Sequence, residues 1–211
     1  MDNPGEIAGH IGTPLTSNAT KVLLLGSGEL GKQLAISFQN LGLEVHAVDS
    51  YAGAPAHQVA QFSYVADIKD IGRILQLAQE IQPHFVVPEV ETVSVEALEE
   101  MEAHSDAIVV PSARACAMTQ DRQCVREVAE NIGLPVSAYR FANSLEELEE
   151  AVGELGFPCI IKPDVSTSGK GHMIAREEDD VRVAWETVRR VSSDSQRVVA
   201  ERFVDFDLEV T

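Results

Sequence analysis

Two lysines eight residues apart give this sequence its most chemically promising pattern. Lys162 closes the apolar run at residues 159–161, and Lys170 lies in a Ser- and Gly-rich stretch at residues 166–171. A lysine on a rigid strand and a lysine in a glycine loop can together hold phosphate groups, with backbone N–H groups as further donors. The spacing is not that of a Walker A motif, because no Ser or Thr follows Lys170. The alternative interpretation is an ordinary hairpin turn.

A second glycine-rich turn lies near the start of the chain. Residues 26–31 (GSGELG) fit G-x-G-x-x-G between a predicted strand and a predicted helix, and Asp49 follows at the end of the next predicted strand. Glycines let a ligand approach the backbone, and the helix N-terminus offers N–H groups to an anion. The pattern alone fits a dinucleotide site or a tight turn without a ligand. Glu29 inside the turn opposes a pyrophosphate and better suits an amine or a hydroxyl group.

Several further charged residues are candidates for binding, each with a plainer alternative. Glu89 and Glu91 directly follow a predicted strand. They either contact a ligand or belong to a solvated acidic loop. Arg122 opens a predicted helix, and the sequence alone favours a surface ion pair there over a phosphate contact. Glu201 and Glu209 fit contacts to an adenine amino group and a ribose hydroxyl, or acids that face solvent. The six histidines have no spacing typical of metal ligands.

These residues need elements that position them, and the first half of the chain predicts a parallel α/β sheet. Continuous apolar runs alternate with segments of helical periodicity, which is typical of strands buried on both faces and joined by helices. Ligands bind at the carboxyl ends of such strands, so the loops at residues 26–31, 49–56 and 88–92 should meet at one crevice. The predicted strands are residues 22–25, 44–48, 62–65, 85–87 and 108–110.

After about residue 114 the pattern changes to a smaller α+β unit. Two helical segments precede a strand at 138–141, and Ser144 with Glu147 has the spacing of a capping box that opens a helix. Strands at 159–162, 172–175 and 197–201 and a helix at 179–190 follow, with Trp185 placed in the core. Residues 206–211 alternate like a strand that needs a partner. We therefore expect a further domain, and divide the chain into a flexible arm (1–20), a parallel-sheet domain (21–118), a small lobe (119–202) and the start of a third domain (203–211).

The composition limits the class of partner. The chain has 211 residues, 45% of them hydrophobic, with a formal net charge of -18. This apolar fraction supports a globular core, while the negative field disfavours nucleic acids and anionic membranes. The scarcity of lysine, five in all, also fits a surface adapted to high salt. Three cysteines without paired spacing and an N-terminus without a signal pattern predict a reduced, cytoplasmic protein.

Taken in order, these motifs resemble the ATP-grasp superfamily and, within it, the formate-dependent phosphoribosylglycinamide formyltransferases. The similarity extends from residue 21 to residue 211, and the ordered set of motifs is specific although each one is weak. The motifs are residues 24–32 (LLGSGELGK), 47–52 (AVDSYA), 54–56 (APA), 87–91 (VPEVE), 139–142 (YRFA), 158–163 (PCIIKP), 168–171 (SGKG) and 206–209 (FDLE).

The resemblance implies a fold and an activity. The fold is α/β, with a Rossmann-like pre-ATP-grasp domain, a small α+β ATP-grasp lobe and a truncated C-terminal domain. The activity is formylation of glycinamide ribonucleotide through formyl phosphate, with ATP, formate and Mg²⁺, by a cytoplasmic homodimer. Implied contacts to glycinamide ribonucleotide are Glu29, Leu30 and Glu89. Implied contacts to ATP are Arg122, Lys162, Ser168, Gly169, Lys170, Gly171, His172, Glu201, Arg202, Phe203, Val204 and Glu209.

The same resemblance places the magnesium ligands in a C-terminal part beyond this chain. We therefore assign no metal ligand here and expect the 211 residues alone to have little or no formyltransferase activity. The alternatives are a carboxyaminoimidazole ribonucleotide synthetase, which uses bicarbonate, a nucleotide-binding fragment without turnover, and an NAD-dependent oxidoreductase. Only residues 26–31 and Asp49 support the oxidoreductase, which leaves Lys162 and Lys170 unexplained.

Overall fold

The computed structural model describes residues 11–164, 171–191 and 197–208. The chain divides into two compact units, Met1–Ala117 and Met118–Thr211. The sequence predicts this boundary after residue 118, and the structure places it after residue 117. None of the helices in these described ranges is long and apolar enough to cross a membrane.

The first unit is a parallel sheet with helices on both faces. Its strand order is β3-β2-β1-β4-β5, and all four pairings are parallel. Since β1 pairs with β2 on one side and β4 on the other, the loops after β1 and β4 border the topological switch point of the sheet. The strands are β1 (Lys21–Leu25), β2 (Glu44–Asp49), β3 (Phe62–Val65), β4 (Phe85–Pro88) and β5 (Ile108–Val109). The helices are α1 (Glu29–Asn40), α2 (Ile71–Ile81), α3 (Val95–His104) and α4 (Ala113–Gln120), with a 3₁₀ turn at Pro55–Gln58.

Strand β1 lies between two cores, which explains its uninterrupted apolar sequence. Leu23 and Leu25 pack into the core that α2 and α3 cover, and Leu24 packs into the core that α1 covers. All three side chains are fully buried. A strand buried on both faces has no position for a polar side chain, so its sequence shows a run rather than an alternation. Its first loop residue, Gly26, is therefore held at a fixed point of the sheet edge.

Residues 11–20 are attached to the first unit by Glu44 on β2. The Leu15 N–H donates to Glu44 Oε2 at 2.6 Å, and the Glu44 N–H donates to the Thr20 carbonyl at 2.9 Å. The other carboxylate oxygen of Glu44 bonds His46 Nε2 at 2.9 Å, and both side chains are buried. This segment is thus fixed by hydrogen bonds, in contrast to the arm of low order expected from its composition. Residues 1–10 of that expected arm lie outside the described residues.

The second unit is an antiparallel sheet of order β6-β9-β7-β8. Helices α6 and α7 cover one face, where Trp185, Val181 and Val188 are buried in the core as the sequence predicts. The other face carries the charged residues described below. The strands are β6 (Tyr139–Ala142), β7 (Cys159–Pro163), β8 (Met173–Ala175) and β9 (Val198–Arg202). The helices are α5 (Arg122–Asn131), α6 (Leu145–Leu155) and α7 (Glu178–Val191).

Helix α6 begins at the predicted capping box. The Ser144 hydroxyl accepts a hydrogen bond from the Glu147 N–H at 3.1 Å. The Glu147 carboxylate reaches back to the N–H of Asn143 at 2.7 Å, one residue before the cap. Two polar groups at the helix start are thereby satisfied, and α6 is held at the edge of the core.

Replacing this cap tests its contribution to the second unit. Ser144→Ala removes the acceptor for the Glu147 N–H, and we expect the free energy of unfolding to fall by about 1 kcal/mol. Ser144→Asn is the matched control, because asparagine caps helices about as well as serine. Urea denaturation followed by the fluorescence of Trp185, the one tryptophan of the chain, reports on this unit. Equal destabilisation by both variants would contradict a capping role.

Candidate functional site

The glycine turn after β1 packs against the loop after β4. Gly26 has a φ of 107°, and a Cβ at this position would lie 2.8 Å from Glu89 Oε2. A Cβ on Gly31 would lie 2.6 Å from the Gly26 carbonyl oxygen. The Glu89 N–H donates to the Leu25 carbonyl at 2.8 Å, which fixes the two loops side by side. The first and third glycines of the motif are therefore required by this packing.

The Asp49 carboxylate accepts a hydrogen bond from a backbone N–H group of the same turn. Its Oδ2 accepts from the Ser27 N–H at 2.8 Å, and its Oδ1 accepts from the Ser50 N–H at 2.7 Å. In a dinucleotide site the turn offers its N–H groups to the pyrophosphate. Here one of them is bonded to a carboxylate, which also adds negative charge beside the turn. This geometry disfavours a pyrophosphate at the crevice, as does the negative charge of Glu29 in the turn.

Glu89 is the most unusual acid of the first unit. Its Oε2 atom is buried and has no hydrogen-bond partner within the described ranges. Burial raises the pKa of Glu89, and the carboxylates of Glu91 and Asp49 raise it further. Glu29 and Leu30 begin α1 right after the glycine turn, and both are exposed, Leu30 to 61%. A buried acceptor without a partner, at the switch point of a parallel sheet, is a candidate for binding a ligand that donates hydrogen bonds.

In the second unit, Lys162 and Glu201 meet on the sheet face that lies opposite the core. Ile160 pairs with Glu201 and Lys162 pairs with Val199, so Lys162 and Glu201 are diagonal neighbours across β7 and β9. Lys162 Nζ donates to Glu201 Oε2 at 2.5 Å. Glu201 is only 7% exposed. The alternative that Glu201 is a solvent-facing acid is therefore wrong.

Arg126 contacts the same carboxylate and was not identified from the sequence. Its guanidinium pairs with Glu201 Oε1, donates to the Arg122 carbonyl at 2.7 Å and lies 5.5 Å from the centroid of the Tyr139 ring. Arg122 and Arg126 are one turn apart at the start of α5, whose N-cap is Asp121. That i, i+4 repeat of arginine is the signal from which Arg126 could have been found.

We call Arg122, Arg126, Lys162 and Glu201 the cation cluster. Burial lowers the pKa of Lys162 to about 8, and the guanidiniums of Arg126 and Arg122 contribute to the shift. Lys162 pairs with Glu201, a carboxylate that it shares with Arg126. Burial also lowers the pKa of His172, as do Lys162 and Arg122, so this imidazole lies near the cluster. Arg126 and Lys162 contact Glu201, and Arg122 lies near enough to lower the pKa of Lys162, so three basic side chains accompany this one carboxylate and suit an anion of several charges.

The remaining predicted nucleotide contacts differ in where they lie. Gly171 has a φ of 79°, in the region that favours glycine. Arg202 Nε donates to the Leu155 carbonyl at 3.3 Å at the end of α6, and the Arg202 N–H donates to the Ala138 carbonyl at 2.9 Å. Phe203 and Val204 follow β9, and Val204 is 53% exposed. Four predicted residues lie outside the described residues: Ser168, Gly169, Lys170 and Glu209.

No metal centre was found in the residues that the structure describes. Across 11–164, 171–191 and 197–208, no group of three His, Cys, Asp or Glu side chains is arranged to hold a metal ion. The crevice of the first unit accepts hydrogen bonds, and the cation cluster of the second unit neutralises negative charge.

Comparison with known families agrees with both units. Residues 19–120 match the ribonucleotide synthetase preATP-grasp domain, and residues 127–211 match the ATP-grasp domain. The two matches correspond to the parallel and the antiparallel unit. The two matches together confirm the resemblance to the ATP-grasp superfamily that the motifs predict.

Its relatives include two kinds of purine enzyme. It is 50% identical, over 95% of its length and 50% of the relative's, to the formate-dependent phosphoribosylglycinamide formyltransferase of Corynebacterium glutamicum. The solved glycinamide-RNase-transformylase T from Mycobacterium tuberculosis is 34% identical, with a TM-score of 0.69 over 89% of this chain and 49% of that one. An N5-carboxyaminoimidazole ribonucleotide synthetase in complex with ADP is 28% identical, with a TM-score of 0.79 over 93% and 49%. The chain thus spans about half the length of the curated relatives it matches.

The lowered pKa of Lys162 predicts unusual reactivity of its amine. Site-resolved acylation with mass spectrometry, between about pH 7 and pH 10, should show a midpoint for Lys162 near pH 8. Because the Arg126 guanidinium helps to lower this pKa, Arg126→Gln should move the midpoint to higher pH.

Arg140→Gln is the control, since Arg140 lies on the same sheet but is exposed and pairs with Glu154. If the midpoint of Lys162 acylation were the same in Arg126→Gln and in the parent chain, Arg126 would not lower the pKa of Lys162.

Proposed function

We propose that this chain provides the glycinamide ribonucleotide site and part of the ATP site of a formate-dependent phosphoribosylglycinamide formyltransferase. The observation that carries the proposal is the 50% identity to the Corynebacterium glutamicum enzyme, which extends over 205 residues and so includes both units. The two candidate sites support it independently, because one suits an amine with hydroxyl groups and the other suits a polyphosphate.

In this reaction, a formate oxygen attacks the γ-phosphorus of ATP, and ADP leaves with the electrons of the broken P–O bond. The amine of glycinamide ribonucleotide then attacks the formyl carbon of formyl phosphate, loses a proton, and inorganic phosphate leaves. Such phosphoryl transfer depends on positioning and on neutralising charge on the phosphates. We assign that role to Lys162 and Arg122 and, from the resemblance alone, to Lys170.

The glycinamide ribonucleotide is proposed to bind at the switch point of the first unit. An ionised carboxylate accepts hydrogen bonds and repels phosphate, so Glu89 fits the amine or the ribose hydroxyls of this substrate. Glu29 and Leu30 border the same turn. The Asp49 contact to the Ser27 N–H leaves the turn poorly suited to a pyrophosphate, which argues against the oxidoreductase alternative.

Several wider features of the enzyme are proposals of the same kind. Mg²⁺ would neutralise charge on the ATP phosphates, but the described residues offer no cluster for it, and we assign it no ligand in this chain. A cytoplasmic homodimer that acts on small molecules is proposed from the resemblance. The net charge of -18 supports the absence of nucleic acid and membrane partners.

A carboxyaminoimidazole ribonucleotide synthetase is the second candidate. It is favoured by the TM-score of 0.79 to such an enzyme, which exceeds the 0.69 to the transformylase. Sequence identity favours the formyltransferase, with 50% and 34% against 28%. The two candidates differ in the ribonucleotide they take, and binding therefore distinguishes them.

Isothermal titration calorimetry of the 211-residue chain should show tighter binding of glycinamide ribonucleotide than of aminoimidazole ribonucleotide. Glu89→Gln should weaken glycinamide ribonucleotide binding by about tenfold or more, because a hydrogen bond to a charged acceptor becomes a neutral one. Glu91→Gln is the matched control, since Glu91 is exposed on the same loop and should change the affinity little. Preference for aminoimidazole ribonucleotide would favour the synthetase instead.

The cation cluster predicts a second binding result. Lys162→Met should weaken ATP binding by about tenfold or more in the same calorimetric assay, because a charge-assisted contact to phosphate is lost. Arg140→Gln again serves as control, as it removes a positive charge from the opposite face of the same sheet. Equal losses in the two variants would mean that ATP responds to net charge rather than to this cluster.

A further inference from the structure

Glu201 has two cationic partners that are anchored very differently. Three contacts fix Arg126: its ion pair with Glu201, its hydrogen bond to the Arg122 carbonyl and its cation–π contact with Tyr139. The Arg126 Cζ atom lies 5.5 Å from the centroid of the Tyr139 ring. Lys162 reaches Glu201 at the end of a flexible four-carbon stem. Of the two partners, Lys162 is the one that can change its contact by side-chain rotation alone.

A nucleotide phosphate at the cation cluster would compete with Glu201 for Lys162. If Lys162 turns to the phosphate, the carboxylate stays behind with 7% exposure. A buried carboxylate without a counter-charge is unfavourable, and it then takes up a proton or moves. The pair with Arg126 remains in place and prevents this outcome.

We propose that Arg126 is a positioning residue that keeps Glu201 ionised and fixed while Lys162 exchanges Glu201 for a phosphate of the nucleotide. The inference rests on the proposed function, because it takes ATP as the ligand. Arg126 then acts through Glu201 and not on the phosphates. Arg126 is the permanent partner of Glu201, and Lys162 is the exchangeable one.

The ionisation state of Glu201 affects which nucleotide base the site prefers. An ionised carboxylate can only accept hydrogen bonds, so Glu201 held by Arg126 favours the 6-amino group of adenine and disfavours the 6-oxo group of hypoxanthine. Without Arg126, Glu201 protonates when Lys162 leaves it, and a protonated carboxyl can donate to an oxo group. Arg126 therefore controls the selectivity for ATP over ITP.

The test compares ATP and ITP binding by calorimetry in the full chain and in Arg126→Gln, Arg126→Lys and Arg140→Gln. We expect the ratio of the ITP to the ATP dissociation constant to fall by about tenfold in Arg126→Gln, to be largely retained in Arg126→Lys and to be unchanged in Arg140→Gln. A merely structural role of Arg126 would weaken both nucleotides equally and leave the ratio unchanged. Trp185 fluorescence confirms that each variant is folded.

Acylation of Lys162 in the unmodified chain tests the exchange without any variant. Saturating ATP should suppress acylation of Lys162, because a phosphate then holds its ammonium group. ATP binding with an unchanged acylation rate, or an unchanged selectivity ratio in Arg126→Gln, overturns the inference and leaves the proposed function standing. A chain that binds neither nucleotide overturns both.

Discussion

A buried carboxylate must keep a counter-charge, and in the second unit this constraint links three elements. Glu201 on β9 forms ion pairs with Lys162 on β7 and with Arg126 on α5. Its position on the sheet is set by the antiparallel register, which places Lys162 diagonally across from it. The helix start that carries Arg122 and Arg126 is thereby held against the polar face of the sheet. Loss of the carboxylate would remove the paired acid of two half-buried cations, Lys162 and Arg126.

The arrangement of the cluster costs stability in the second unit. Lys162 is buried among other cations, and its pKa of about 8 reflects the cost of keeping it charged. A negatively charged ligand removes part of that cost, so binding and stability are coupled. Sites that break the rules of a stable core in this way are typical of function.

The two units bring together charged side chains of opposite sign. The overall charge is -18, yet the polar face of the antiparallel sheet brings Arg122, Arg126 and Lys162 together. The crevice of the parallel sheet brings Asp49, Glu89 and Glu91 together, and their mutual repulsion adds to the raised pKa of Glu89. Local fields of opposite sign therefore exist within one acidic chain. Short-range contacts decide what each site binds, because the mean charge is screened beyond about 10 Å.

The sequence alone determined the order of the elements, the parallel sheet of the first unit, the α+β character of the second and the special place of Lys162, because apolar periodicity, glycine turns and helix caps are local signals. The antiparallel pairing of the second sheet came from the tertiary structure. The sequence also singled out Glu89 and Glu201, but it left open whether Glu201 faces solvent. Only the tertiary structure decided that question and showed that Arg126 contacts Glu201, since the contact joins residues 75 positions apart in the chain, from 126 to 201. It likewise showed that Glu44 fixes residues 11–20, which their composition had suggested were loose. Burial and pairing depend on which surfaces meet, and no local pattern contains that information.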